Sequence, residues 1–141
     1  MNWRTHAIED LSNYKFMKLG ILNSKERLAI MNSGIKASLP VIRKRGSQSS
    51  PEFMNCKIEA NKLRQSISLA QSTTRLIERA LDSLTEPERR ILSNFYMDSS
   101  PKPANVLSVE LGFSVRSLYR ARDEALAKFT LAMYGSLSTK E

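Results

Sequence analysis

Apolar and polar positions alternate at helical spacing along almost the whole chain, and the spacing changes character near residue 84. From Phe53 to Leu84 no Pro or Gly interrupts the sequence. Cys56, Ala60, Leu63, Ile67, Ala70, Thr74, Ile77, Leu81 and Leu84 recur at alternating steps of four and three. This is the a/d seam of a heptad repeat, and at 1.5 Å per residue it predicts a helix of roughly 45 Å. Ala, Cys and Thr make the seam a weak one, so it needs a partner helix. The first segment supplies a candidate: Ala7, Tyr14, Ile21, Leu28 and Ile35 recur every seven residues, with Leu11, Met31 and Leu39 near the companion positions. Gly20 and Gly34 weaken this helix and can bend or end it. Between the two segments, Pro40 to Pro51 contains Arg43-Lys44-Arg45 and Gly46-Ser47-Gln48-Ser49-Ser50 and reads as an exposed loop.

The pattern after Leu84 is shorter and more punctuated. Thr85 is the expected N-cap of a helix, Glu88 completes a capping box, and Pro87 falls where a missing N–H costs nothing. Ile91, Leu92 and Phe95 supply its apolar face. A gap rich in Ser and Pro follows, from Asp98 to Pro103. The next helix has two possible starts: Ser100 as cap with Pro101 at N1, or Lys102 preceding Pro103 at N1. Val106, Leu107 and Leu111 form its apolar face. Gly112 then suits a left-handed terminus, which Gly adopts without strain. Phe113 is expected to plug the angle between helices, and Ser114 to cap the helix that follows. In that last helix Leu118, Ala121, Ala125 and Phe129 face inward, and Arg116, Ser117, Arg120 and Glu124 face outward. A tight turn followed by a helix with outward Arg in its first two turns suits a helix-turn-helix entering the DNA major groove, where Arg bonds guanine O6 and N7 in bidentate fashion.

The expected fold class is therefore all-α: an N-terminal long helical hairpin, coiled-coil-like, over residues 1–83, a helix-turn-helix domain over 84–134, and a tail at 135–141. The seams pair within one chain or between two. In the second case a homodimer presents two reading helices to half-sites about 34 Å apart.

Residues 84–129 resemble region 4 of bacterial sigma factors. The shared features are Leu84 with Pro87-Glu88-Arg89 and Ile91-Leu92, then Glu110-Leu111-Gly112-Phe113-Ser114, then Ala125-Leu126-Ala127-Lys128-Phe129. The resemblance implies base contacts from Arg116, Ser117 and Arg120. Val115 stands where that family usually carries Arg, and Pro103 where a capping Thr is common. The whole layout, from Ala7-Ile8-Glu9-Asp10-Leu11-Ser12-Asn13-Tyr14-Lys15 to Ala125-Leu126, is similar to the ArpU/RinA-type late-gene regulators of phages and prophages. That resemblance implies transcriptional control of late or packaging genes.

Charge changes the picture. The net charge is +8, but residues 84–141 carry eight basic and seven acidic side chains, so +7 belongs to residues 1–83. A basic protein attracts polyanions at long range, and here that attraction lies mainly outside the base-reading segment. The DNA-binding residues expected are Arg116 and Arg120 on base edges, Ser117 and Tyr119 on base or backbone, and Lys102 and Arg122 near phosphates. Two of these have alternatives: Arg122 can pair with an acidic neighbour, and Tyr119 can pack against the first helix of the motif.

Other chemistries find little footing. His6 is the only His and Cys56 the only Cys, too few for a zinc site. Cys56 reads as a small core residue, His6 as a surface or capping group, and Trp3 and Phe16 as helix–helix core. No P-loop, dinucleotide loop or nucleophile elbow occurs, and Glu9-Asp10 and Asp123-Glu124 diverge on a helix rather than converge as a general acid/base pair. No enzymatic activity and no cofactor is expected. The lone Cys and the absence of a long apolar run fit a cytoplasmic protein off the membrane. Two other readings remain: an RNA polymerase adaptor with little DNA specificity, and a small terminase-like packaging subunit.

Overall fold

The computed structural model describes residues 2–44 and 51–135, with side-chain placement for all of these except 35–44, Pro51 and Phe53. Among them every regular element is helical. In order these are α1 (Trp3–Lys44), α2 (Pro51–Asp82), α3 (Glu86–Leu92) running into a π-helical turn (Ser93–Met97), α4 (Ala104–Leu111) and α5 (Val115–Tyr134). The all-α expectation holds. No helix among the described residues is long and apolar enough to cross a membrane.

The helices divide into two compact units. One, here the core unit, joins the residues up to Lys15 with those from Thr74 onward; the other, the hairpin unit, is Phe16–Thr73. A cut at residue 83 follows the change in hydrophobic spacing, whereas the contacts draw the ends of α1 and α2 into the same unit as α3–α5. Specific side chains cause this. The Trp3 ring stacks on Tyr134 of α5 with centroids 4.8 Å apart, the Tyr134 hydroxyl donates to the Asp10 carboxylate, and Arg4 pairs with Asp123 at 2.8 Å. Ala7, Leu11, Ile77, Ala80 and Leu84 are buried beneath them. Tyr14 donates to Glu78 at 2.7 Å. Burial, then the Glu78 carboxylate, pushes its phenol up to about 12, and burial with the Asp10 carboxylate raises Tyr134 likewise.

The hairpin unit has a thinner core. Ile21, Ala60 and Ile67 are its buried apolar residues among those described. Arg64 of α2 donates to Asn32 of α1 at 3.2 Å. Along α1, Tyr14 meets Glu78 and Asn32 meets Arg64, so the α2 partner number falls as the α1 number rises, and the two helices run antiparallel. The seam read from the sequence holds at Ala60, Ile67, Thr74, Ile77 and Leu84, all buried.

Three expectations here are corrected. Cys56, first on the seam, is exposed. A straight helix drifts about 20° per heptad from a strict 3.5-residue repeat, which turns the end of a long seam away from its partner. Phe16, expected in the core, is 61% exposed; it lies two residues from the seam position Tyr14, on the far side of α1. The loop expected to begin at Pro40 begins later, because α1 continues to Lys44. Proline's fixed φ suits a helix, and the cost is one missing backbone bond and local crowding. Residues 45–50 of that loop, the tail 136–141, and the side chains of seam positions Ile35 and Leu39 lie outside what is described.

Candidate nucleic-acid interface

Helix α3 starts as its sequence dictates. The Thr85 side chain accepts the Glu88 N–H, and the Glu88 carboxylate accepts the Thr85 N–H at 2.9 Å. Glu88 also takes Lys128 of α5 at 2.7 Å, which fixes α5 against α3. That bond, more than the cap itself, holds the Glu88 carboxyl below its usual range. Ile91, Leu107 and Leu118 then meet in one cluster from α3, α4 and α5, flanked by Phe95, Ala104, Leu111 and Ala121.

Helix α4 begins differently from either expectation. Pro103 is itself the N-cap residue, and its carbonyl accepts the N–H groups of Val106 and Leu107, each at 3.0 Å. No side-chain cap is needed because the approach is held from elsewhere. Asn94, only 6% exposed, donates to the Lys102 carbonyl at 3.1 Å and accepts the Lys102 N–H at 2.8 Å. One amide thus clamps both polar groups of Lys102 at the entrance to α4. Asn94 went unread in the sequence; its one signal is a polar residue inside the apolar run from Ile91 to Phe95. The π-helical turn carries it inward.

The turn itself is as its residues suggest. Gly112 has φ +77°, and the Phe113 N–H reaches back to the Ser108 carbonyl at 2.8 Å, closing α4. Ser114 caps α5 by accepting the Ser117 N–H at 3.1 Å. Two apolar assignments do not hold. Phe113 is 36% exposed and Val106 42%, so neither plugs the angle. Ala104, Leu107 and Leu111 share the inner stripe at i, i+3 and i+7, and Leu107 on Leu118 fills the angle instead.

On α5, Leu118, Ala125 and Phe129 are fully buried and Ala121 half-buried, as the spacing predicts. Leu126 and Thr130 are buried beside them. Arg116, Ser117, Arg120 and Glu124 are exposed on the opposite face.

The six side chains expected at DNA separate into two groups. Arg116 and Arg120 share one face, one helical turn apart, and have no ion-pair partner among the described residues. Ser117 lies beside them, its Oγ accepting from the Ser114 hydroxyl at 2.9 Å. The other three are engaged. Lys102 donates to both oxygens of Glu110, at 2.8 and 2.9 Å, and Arg90 adds a third bond at 3.0 Å. Lys102, chiefly through its hydrogen bond, lowers the Glu110 pKa. Arg122 bonds the carboxylate of Asp123 at 3.1 Å, the acidic-neighbour alternative. Its guanidinium also lies over the rings of Phe95 and Tyr119, 5.2 and 5.0 Å from their centroids. Tyr119 packs its ring against Phe95 at 5.8 Å while staying 41% exposed. Glu110 and Asp123 were thus the residues missing from the sequence reading, since only folding brings Glu110 to both Lys102 and Arg90.

Compared with protein-family models, curated proteins and solved structures, the chain has no match.

Proposed function

We propose that the protein is a sequence-specific DNA-binding transcriptional regulator, reading base edges with Arg116 and Arg120 from the start of α5. The observation that carries this is the difference in pairing among its cations. Lys102 and Arg122 sit on carboxylates, whereas Arg116 and Arg120 are exposed and unpaired among the described residues. An exposed guanidinium without an internal partner is available for bidentate bonding to guanine. Ser114 at the cap and Gly112 at the turn give α5 a defined start, which such bonding needs. The resemblance to sigma region 4 and to ArpU/RinA-type regulators supports the same reading and extends it to late genes of a phage or prophage.

The test is selection of bound fragments from genomic DNA, followed by titration of Arg120→Ala on the selected site. A loss of about 1–3 kcal/mol with relaxed preference at one base position is expected. An equal loss on every sequence would reduce Arg120 to a phosphate contact and sink base reading by that residue.

A polymerase-docking adaptor is the second reading, favoured by exposed apolar residues on α4. Val109 is 79% exposed and Val106 42%, more apolar surface than a DNA-facing helix requires. Specific retention of one DNA fragment without polymerase excludes a pure adaptor.

A further inference from the structure

The hairpin unit carries a one-sided row of cations that base reading does not use. Residues 16–73 hold ten basic and three acidic side chains, a net +7, which leaves +1 for the rest of the chain. The heptad register sorts them. On α2, Lys57 and Arg64 follow the seam residues Cys56 and Leu63, one step to the same side. On α1, Lys18, Lys25 and Asn32 occupy the matching edge, each four residues past Tyr14, Ile21 or Leu28. The hydrogen bond from Arg64 to Asn32 shows that these two edges meet on one face of the hairpin. Lys18, Lys25, Lys57 and Arg64 are all exposed. Arg64 hydrogen-bonds only the neutral amides of Asn61 and Asn32 among its printed partners, so its charge stays uncompensated there.

The acidic residues of the unit lie elsewhere. Glu59 sits on the opposite edge, where it pairs with Lys62 at 3.6 Å, Glu52 is one heptad before it, and Glu26 is on the outer side of α1. Arg27 shares the opposite edge with Glu59. One face of the hairpin is therefore purely cationic and the other mixed.

The register also sets the spacing. Arg64 lies level with Asn32, one heptad beyond Lys25, and Lys57 one heptad beyond that. At 1.5 Å per residue the order Lys18, Lys25, Arg64, Lys57 places a cation about every 10.5 Å over about 31 Å.

We infer that this edge of the hairpin is a second, sequence-independent DNA contact, binding the phosphate backbone of a duplex. The inference rests on the DNA-binding reading for its partner, but uses residues that the reading head does not. A rigid row of lysine and arginine with no carboxylate interleaved releases counterions when it meets phosphates. The exposed stem of each side chain tolerates the positional slack that base reading does not.

The test uses the full chain and duplexes of about 30 base pairs of differing sequence, with Kd measured against salt. Replacing Lys18, Lys25, Lys57 and Arg64 together by Gln should weaken every duplex alike and flatten the salt slope by about 3. Sequence preference should be unchanged. The double change Lys18→Gln with Lys25→Gln leaves the Arg64 bonds intact and guards against misfolding, checked by thermal melting. It should cost several times more affinity than Arg27→Gln with Lys62→Gln, which removes the same charge from the opposite edge. Equal losses from the two pairs would reduce the effect to diffuse charge and overturn the proposal, as would an unchanged slope. Equally tight binding of poly-glutamate, lost in the same variants, would assign the edge to an acidic polypeptide and also overturn it. Failure of base reading has a separate signature, because Arg116→Ala with Arg120→Ala then leaves sequence preference untouched while the edge still sets the salt slope.

Discussion

In the core unit Leu11, Ile77, Leu92, Leu118, Leu126 and Phe129 are fully buried, and its cations are largely held on carboxylates such as Glu88, Glu110 and Asp123. In the hairpin unit only Ile21, Ala60 and Ile67 are buried among the described apolar residues, while Phe16, Leu19, Leu22, Ile30 and Leu69 are each more than half exposed. The same unit holds almost all of the net charge. The difference follows from what each kind of interaction demands. Reading a base edge requires atoms held to within a fraction of a hydrogen-bond length, so it needs a packed core and caps behind it. Attraction to phosphate is long-ranged and tolerant of geometry, so a lean two-helix support suffices.

The largest test of this contrast is core truncation. Phe129→Ala should cost about 3–5 kcal/mol in urea unfolding, as for a fully buried aromatic, whereas Ile67→Ala should lie near the lower end of about 2–5 kcal/mol. Equal costs would show that the hairpin is as tightly packed as the core unit, and the comparison would fail. The two units should next differ in the sign of a glycine substitution. Gly112 has a positive φ and open space around a Cβ, so Gly112→Ala is purely a backbone strain and should destabilise by about 1–2 kcal/mol. Gly20 is helical, exposed and equally open, so Gly20→Ala should stabilise by about 0.8–1 kcal/mol. Melting curves for the two variants must shift in opposite directions.

The smallest effect is in acid. Glu88 has its pKa lowered in the folded chain, mainly by the hydrogen bond from Lys128. A depressed carboxyl contributes stability above its unfolded pKa of about 4.3, and loses that contribution as pH falls through the folded value. Melting temperature should therefore fall between pH 5 and lower pH, and Lys128→Met should flatten that fall. An unchanged acid profile in the variant would place the pH sensitivity in other carboxylates.

Much of the core unit was legible because its signals are local. Thr85 with Glu88, Gly112 and Ser114 each specify a terminus through atoms within a few residues, and the period of Leu118, Ala125 and Phe129 fixes the buried face of α5. The seam of α2 was legible for the same reason from Ala60 to Leu84. The signals that misled were those whose meaning depends on what lies across from them. Cys56 and Phe16 are apolar at or near seam spacing, yet the helix opposite decides whether they are covered. Phe113 and Val106 are apolar beside a turn, yet the angle between α4 and α5 is filled by Leu107 and Leu118. For the proposed interface, spacing put Arg116, Ser117 and Arg120 on one face, but it could not tell these arginines from Lys102 and Arg122.

The sequence by itself determined the all-α class, the antiparallel seam, the helix termini and the outward face of α5, because periodicity and capping act through neighbours in the chain. Only the tertiary structure decided which cations are spent on carboxylates and which remain free. Glu110 is eight residues from Lys102 and twenty from Arg90, and Asn94 eight from the peptide it clamps. It also decided that the cations of α1 and α2 share one edge, because the register of one helix against another, fixed here by Arg64 on Asn32, is set by packing across space.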